Sequence, residues 1–189
     1  MEEGLLEDIF ELEKENMNDN IEALKKSFRT IRSGKVTTDA LSGIKVKYYG
    51  TPTALNQVAT VLVSDATTIT ISPWEKNILR DIEQAIQMAN IGVNPNNDGE
   101  VIKLFYPPMT TEQREKGAKE AKLKGDNAKI SIRNSRKDAN KEIKKLEKEK
   151  EITEDESHLA HDKVQKLTDE FVALVDSLVK AKQEDLMKV

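Results

Sequence analysis

Three stretches of this chain repeat apolar or small residues three and four positions apart, with charges between them, over lengths that suit only long helices. In the first, Met17, Ile21, Leu24, Phe28 and Ile31 form a stripe preceded by Leu6 and Ile9. The second stripe is Ala121, Gly125, Ala128, Ile132, Ser135, Ala139, Ile143 and Leu146, and its small side chains let neighbouring helices approach closely. The third runs through Val164, Leu167, Phe171, Leu174 and Leu178, widened by Val175 and Val179. Thr153 followed by Glu154, Asp155 and Glu156 reads as an N-cap with an acid-rich first turn, so a new helix starts there. A run of about 40 helical residues spans about 60 Å at about 1.5 Å per residue. Three such helices predict an elongated antiparallel three-helix bundle, and because the stripes can satisfy one another within one chain, a monomer.

Between the first and second helices the period changes to two, with β-branched residues, glycine and proline. Residues 44–49, 58–63 and 67–71 read as strands, the last two joined by a turn at Ser64, Asp65 and Ala66. Residues 74–89 read as a short helix burying Ile78, Ile82, Ala85 and Ile86. Residues 94–99, Asn-Pro-Asn-Asn-Asp-Gly, carry a strong turn signal before a returning strand over 101–105. The fold class is therefore α+β. A discontinuous bundle, residues 1–30 and 107–189, carries an inserted β/α/β domain at residues 31–106. Two segments of chain join the insert to the bundle side by side, which makes Ser33, Gly34, Phe105, Tyr106, Pro107 and Pro108 hinge candidates, with the prolines limiting its freedom.

Composition supports this reading and excludes several functions. Charged residues are 34% and aromatics only 4% of the 189, which suits long solvated helices better than a large globular core. No cysteine is present, so disulfides, thiolate zinc sites and cysteine nucleophiles are excluded, and the cytoplasm is the expected location. The acidic start, Met-Glu-Glu-Gly-Leu-Leu-Glu-Asp, is neither a signal peptide nor an anchor, and no segment suits a membrane span. The net charge of −4 conceals strong segregation. Residues 1–28 carry 3 basic and 9 acidic side chains and residues 151–189 carry 5 and 10, whereas residues 111–150 carry 14 basic and 8 acidic. The second long helix is thus a basic rod between two acidic ones. Its outer face is suited to phosphate, and its inner charges to pairing with the neighbouring helices.

Five segments carry a resemblance to a known family: IRSGK (31–35), VKYYGTPTALNQVA (46–59), GVNPNNDGEVIKL (92–104), IRNSRKDANKEIKKLEKEKEITEDE (132–156) and VQKLTDEFV (164–172). Together, and in this order from about Leu6 onward, they closely resemble ribosome recycling factors of the bacterial and organellar type. The resemblance implies an L-shaped molecule with a three-helix bundle and a small hinged domain. It also implies binding to the post-termination 70S ribosome through large-subunit rRNA, and splitting of that ribosome with elongation factor G and GTP. No cofactor or metal belongs to the factor itself. The chain departs from the family pattern at Pro107-Pro108-Met109-Thr110-Thr111-Glu112-Gln113-Arg114, where one of two common arginines is missing, and at Gly117, where leucine is common. Glycine there predicts a looser start to the helix.

Lys129, Arg133, Arg136, Lys137 and Asn140 recur at spacings of three and four and so line one ridge of the second long helix. Arginine suits RNA because its planar guanidinium binds phosphate bidentately or stacks on bases. The resemblance places an rRNA-contacting arginine at Arg136. The alternative is that these residues pair with acids on adjacent helices. Arg29 and Arg32, at the end of the first helix, and Arg114, at the start of the second, extend the basic set; for Arg29 and Arg32 a helix-end role explains the residues equally well. Lys119, Lys122 and Lys124 add sequence-independent attraction. Tyr48, Tyr49, Pro52 and Trp74 read as core and turn residues of the insert. His158 and His161, with Glu154 one turn earlier, read as solvated rather than as a metal site. No acid pair, nucleophile triad or Gly-rich phosphate loop is visible, so the chain is not expected to be an enzyme. The competing class is a coiled-coil adaptor whose bundle binds partner helices, with little dependence on salt.

Overall fold

The computed structural model describes residues 2–188, and Met1 and Val189, the outer bounds of the expected bundle, lie outside the described residues. Among the described residues four helices form, α1 (Glu2–Arg29), α2 (Leu79–Ala89), α3 (Thr111–Lys148) and α4 (Glu154–Met187). Between α1 and α3 lie the strands β1 (Lys45–Tyr48), β2 (Thr51–Ala54), β3 (Ala59–Asp65), β4 (Thr68–Pro73), β5 (Pro95–Asn97) and β6 (Ile102–Phe105). The chain divides into two compact units, Met1–Ile31 with Lys116–Asp185, and Arg32–Glu115 with Leu186–Val189. The divisions at Ile31 and Glu115 compare with 30 and 106 in the sequence reading, and the tail from Leu186 goes with the small unit.

In the helical unit the side-chain partners give the directions. Along α3, residues 118, 129, 136 and 140 meet residues 183, 176, 165 and 161 of α4, so the two run antiparallel. Lys124 donates to Ser27 O of α1, while Leu6, Ile9 and Phe10 pack around Ala139 and Ile143, which makes α1 antiparallel to α3 as well. All five residues of the α1 stripe are buried, as are Ala121, Gly125, Ile132, Ala139 and Ile143 of α3. α3 runs unbroken through Gly117, which faces inward, so the looser start expected there is not found. Instead Thr110 and Gln113 close a reciprocal cap, each backbone N–H donating to the other's side-chain oxygen. Gln113 stands where the family's arginine is missing, and its amide oxygen performs this capping.

The α4 stripe is corrected in one respect. Its buried row is Val164, Thr168, Phe171 and Val175, while Leu174 is exposed. Apolar character alone favours the leucine, but the inward direction falls on Thr168, whose hydroxyl donates to Val164 O and so tolerates burial. The predicted cap of α4 forms, with Thr153 and Glu156 bonded reciprocally. These hydrogen bonds hold the Glu156 carboxyl below its ordinary range.

In the small unit β3, β4, β6 and β5 lie in that order in an antiparallel sheet, and β1 with β2 forms a separate hairpin. Ile69, Ile71, Ile102 and Leu104 of the sheet pack with Ile82 and Ile86 of α2 and Val46 of β1 in a core that excludes water from each of them. Two elements differ from the sequence reading. Pro95–Asn97 is an edge strand rather than part of the turn, tolerable because proline lacks only a donor that an edge need not supply. The turn is shorter: the Asp98 carboxylate accepts from the N–H groups of Glu100 and Val101, and Gly99 takes the positive φ of 91°. The helix expected from Trp74 begins only at Leu79, after a 3-10 turn at Lys76–Ile78.

At Gly125 there is no room for a side chain, since a Cβ would collide with Val179 Cγ2 on α4, and valine cannot swing away. Overpacking of this kind costs about 1–3 kcal/mol, against a helix-propensity gain of about 1 kcal/mol for alanine over glycine. Gly125→Ala is therefore expected to destabilise the helical unit by about 1 kcal/mol in thermal unfolding followed by circular dichroism, and Val179→Ala in the same chain to recover the loss through relief of the clash.

Candidate nucleic-acid interface

The outer face of α3 carries the basic ridge, and its side chains divide between two roles. Arg133 and Lys137 are exposed, and among the described residues neither enters an ion pair. Lys129 instead turns toward α4, where it pairs with Asp176, with Asp126 on its own helix 3.9 Å away. Arg136 is half-buried and donates through Nη1 to Gln165 Oε1 of α4 at 3.1 Å, and Asn140 Oδ1 lies 2.7 Å from His161 Nδ1. Arg136, Gln165 and Asn140 edge an open groove of about 640 Å³ whose other walls include Lys137, Lys141, Lys144 and Lys148, with the acid Glu142 among them.

Lys141, Lys144, Lys145 and Lys148 are not among the ridge residues singled out from the sequence. The signal was available: Asn140, Lys144 and Lys148 continue the ridge at spacings of four. A groove with this concentration of ammonium groups, open to solvent and edged by a guanidinium, is built for a polyanion.

The remaining basic candidates are held elsewhere. Arg29 is exposed in the last turn of α1, where its charge complements the carbonyl end of the helix. Arg32 belongs to the small unit: its Nη2 donates to Pro107 O and its guanidinium lies 5.2 Å from the centre of the Tyr106 ring. Arg114, in the same unit, donates through Nη1 to Lys188 O at 2.7 Å. Lys124 donates to Ser27 O, a carbonyl in the last turn of α1, and to the Thr30 hydroxyl just beyond it. Of the hinge candidates, Tyr106 is buried in the small unit's core and its N–H donates to Thr67 O, while Phe105 is the last residue of β6. Ser33 Oγ donates to Lys35 O, and Pro107 and Pro108 are exposed.

The aromatic residues expected in the core of the insert are partly outside it. Tyr49 is 75% and Trp74 65% exposed. Trp74 Nε1 donates to Thr60 Oγ1, and the hydroxyls of Tyr48 and Tyr49 both donate to Glu75, which holds that carboxyl below its ordinary range. Polar tips on amphipathic rings allow this exposure. His158 is exposed, and among the described residues no three metal-ligating groups converge.

Sequence reasoning missed Glu13 of α1. It is 2% exposed, and among the described residues neither of its carboxylate oxygens finds a hydrogen-bond partner. Burial pushes its pKa up to about 7, opposed by the attraction of Arg136 for the ionised form. Arg136 is thus influenced by α1 on one side and bonded to α4 on the other.

A model of the ribosome recycling factor family matches residues 24–187. A ribosome-recycling factor of Sulfurovum sp. (strain NBC37-1) is 62% identical over 185 residues, covering 98% of this chain and 100% of that protein. That of a Nitratiruptor species is 59% identical over 184 residues, covering 97% and 99%. Among solved structures, a solution structure of the ribosome recycling factor is similar with a TM-score of 0.77 at 32% identity, covering 97% of this chain and 98% of that one. The T. thermophilus ribosome recycling factor, described with E. coli elongation factor G bound to the E. coli post-termination complex, is similar with a TM-score of 0.63 at 33% identity, covering 97% and 99%.

The raised pKa of Glu13 has a definite sign in stability. Its neutral form is favoured in the fold, so its contribution is undiminished below about 4.5 and is lost as pH rises to about 7. Glu13→Gln, neutral throughout, is expected to exceed the parent in stability by on the order of 3 kcal/mol above that range and to match it below, as measured by urea unfolding across pH.

Proposed function

Given that the chain belongs to the ribosome recycling factor family, we propose that it binds the post-termination ribosome through large-subunit rRNA and, with elongation factor G and GTP, promotes dissociation into reusable subunits. The observation that carries the rRNA part of this reading is the α3 ridge and its lysine-lined groove, with Arg133 and Lys137 exposed on a chain whose net charge is −4. A chain of that sign gains nothing from bulk attraction to RNA, so its affinity depends on this concentrated patch. Arg133 and Lys137 supply phosphate contacts that position without reading sequence, and Arg136, held in orientation by Gln165, offers its remaining N–H fork to a phosphate or a base edge.

In this reading the chain contributes binding and shape while elongation factor G hydrolyses the nucleotide, so the chain itself is not an enzyme, and it acts in the cytoplasm. The hinge proposed for the two connecting segments, Ser33–Gly34 and Pro107–Pro108, lies on the small-unit side of the divisions at Ile31 and Glu115. Phe105 and Tyr106, tied to β4 and the core, move with the small unit. Arg32, engaged by Pro107 and Tyr106, is a local brace at that joint rather than a principal RNA contact.

The test is subunit splitting of post-termination ribosomes followed by light scattering, with elongation factor G and GTP present. Wild type is expected to split them and folded Arg136→Ala to do so at least tenfold more slowly. Absence of splitting by wild type with a matched elongation factor would reject the reading. In direct binding to large ribosomal subunits, Arg133→Ala is expected to reduce the log–log salt slope by about 1, as loss of one phosphate contact requires. An adaptor that binds partner helices would show a flat salt response.

A further inference from the structure

We propose that His161 and Gln165, one turn apart on α4, are positioning residues that hold Asn140 and Arg136 of α3 with their N–H donors directed at bound RNA phosphate. The proposal rests on the ribosomal reading above and names the side chains that prepare its site. Asn140 and Arg136 are also one turn apart, and because α3 and α4 are antiparallel, each meets its counterpart: His161 Nδ1 lies 2.7 Å from Asn140 Oδ1, and Arg136 Nη1 donates to Gln165 Oε1 at 3.1 Å.

In the proposed arrangement the donor and acceptor roles in this set are as follows. With Asn140 Oδ1 facing His161 Nδ1, the bond forms in the tautomer that carries its proton on Nδ1, and the Asn140 –NH2 group then remains free to donate. Gln165 is fixed in its turn, since its Nε2 donates to Asp169 Oδ1 at 2.9 Å, which leaves its Oε1 for Arg136. Every constraint on α4 therefore orients an acceptor of α3 inward or draws on one donor of Arg136, and leaves donors on the groove side. A reversed Asn140 amide would set an oxygen lone pair against a phosphate oxygen. With its proton on Nδ1, His161 opposes that reversal, and the ordering of both side chains precedes binding, so its entropic cost does not fall on the complex.

The experiment measures affinity of the full-length chain for purified large ribosomal subunits over a salt series, with a melting curve for each variant. His161→Ala is expected to weaken binding about fivefold at every salt concentration without changing the salt slope, because no phosphate-neutralising charge is lost. His161→Gln, whose amide N–H can donate to Asn140, is expected to return affinity to within about twofold. Asn140→Ala weakens binding similarly, and the double variant His161→Ala/Asn140→Ala no further, since His161 acts only through Asn140. Arg136→Ala serves as the reference: undiminished affinity in that variant would reject the ribosomal reading itself. Weakened Arg136→Ala beside unchanged His161→Ala, no recovery in His161→Gln, or additive losses in the double variant would overturn the positioning role alone. Should His161→Ala lose its melting transition, Gln165→Met supplies the second arm, with a similar loss expected and an unchanged affinity overturning the proposal.

Discussion

The close approach of α3 to α4 at Gly125 and Val179 is the contact on which the face of the helical unit depends. Small residues along the inner side of α3 bring its backbone near α4, and that proximity lets polar side chains on the flanks meet directly. Lys129 with Asp176, Arg136 with Gln165 and Asn140 with His161 all follow the register set there. A bulkier seam would separate the helices, and the asparagine and glutamine would be too short to reach.

The same packing explains why a basic helix sits between two acidic ones. Part of the charge of α3 is used internally, by Lys129 toward α4 and Lys124 toward the carbonyl end of α1. The remainder is directed outward, in the ridge and the groove. Arg136 lies at the boundary between these uses: its field reaches the buried carboxyl of Glu13, while Gln165 fixes its orientation. Arg136 therefore links α1 and α4 to the proposed RNA surface, and a substitution there reaches the packing of the helical unit as well as that surface.

In the small unit a single arginine takes an analogous place. Arg32 joins the first connecting segment to the second through the Pro107 carbonyl and the Tyr106 face, and Arg114 secures the tail through the Lys188 carbonyl. From sequence alone Arg32 and Arg114 were grouped with the RNA-facing residues, because a basic side chain beside a helix end shows no partner until the chain folds. Arg133 and Lys137 raised no such difficulty, since an exposed ridge is a local property of one helix.

Helical stripes, the period-two insert, the cap at Thr153 and the segregation of charge were legible because each depends on neighbours within a few positions. The separation of Thr168 from Leu174, the pairing of Pro95–Asn97 at a sheet edge and the exposure of Trp74 were not, since they depend on where other elements lie. The sequence by itself determined the α+β class, the basic ridge of α3 and the resemblance that its motifs carry. Only the tertiary structure decided which ridge residues face the groove, which pair across to α4, and that Glu13 is buried behind Arg136. Periodicity specifies which side of a helix is apolar, whereas hydrogen-bond partners and desolvation depend on residues brought together from distant parts of the chain.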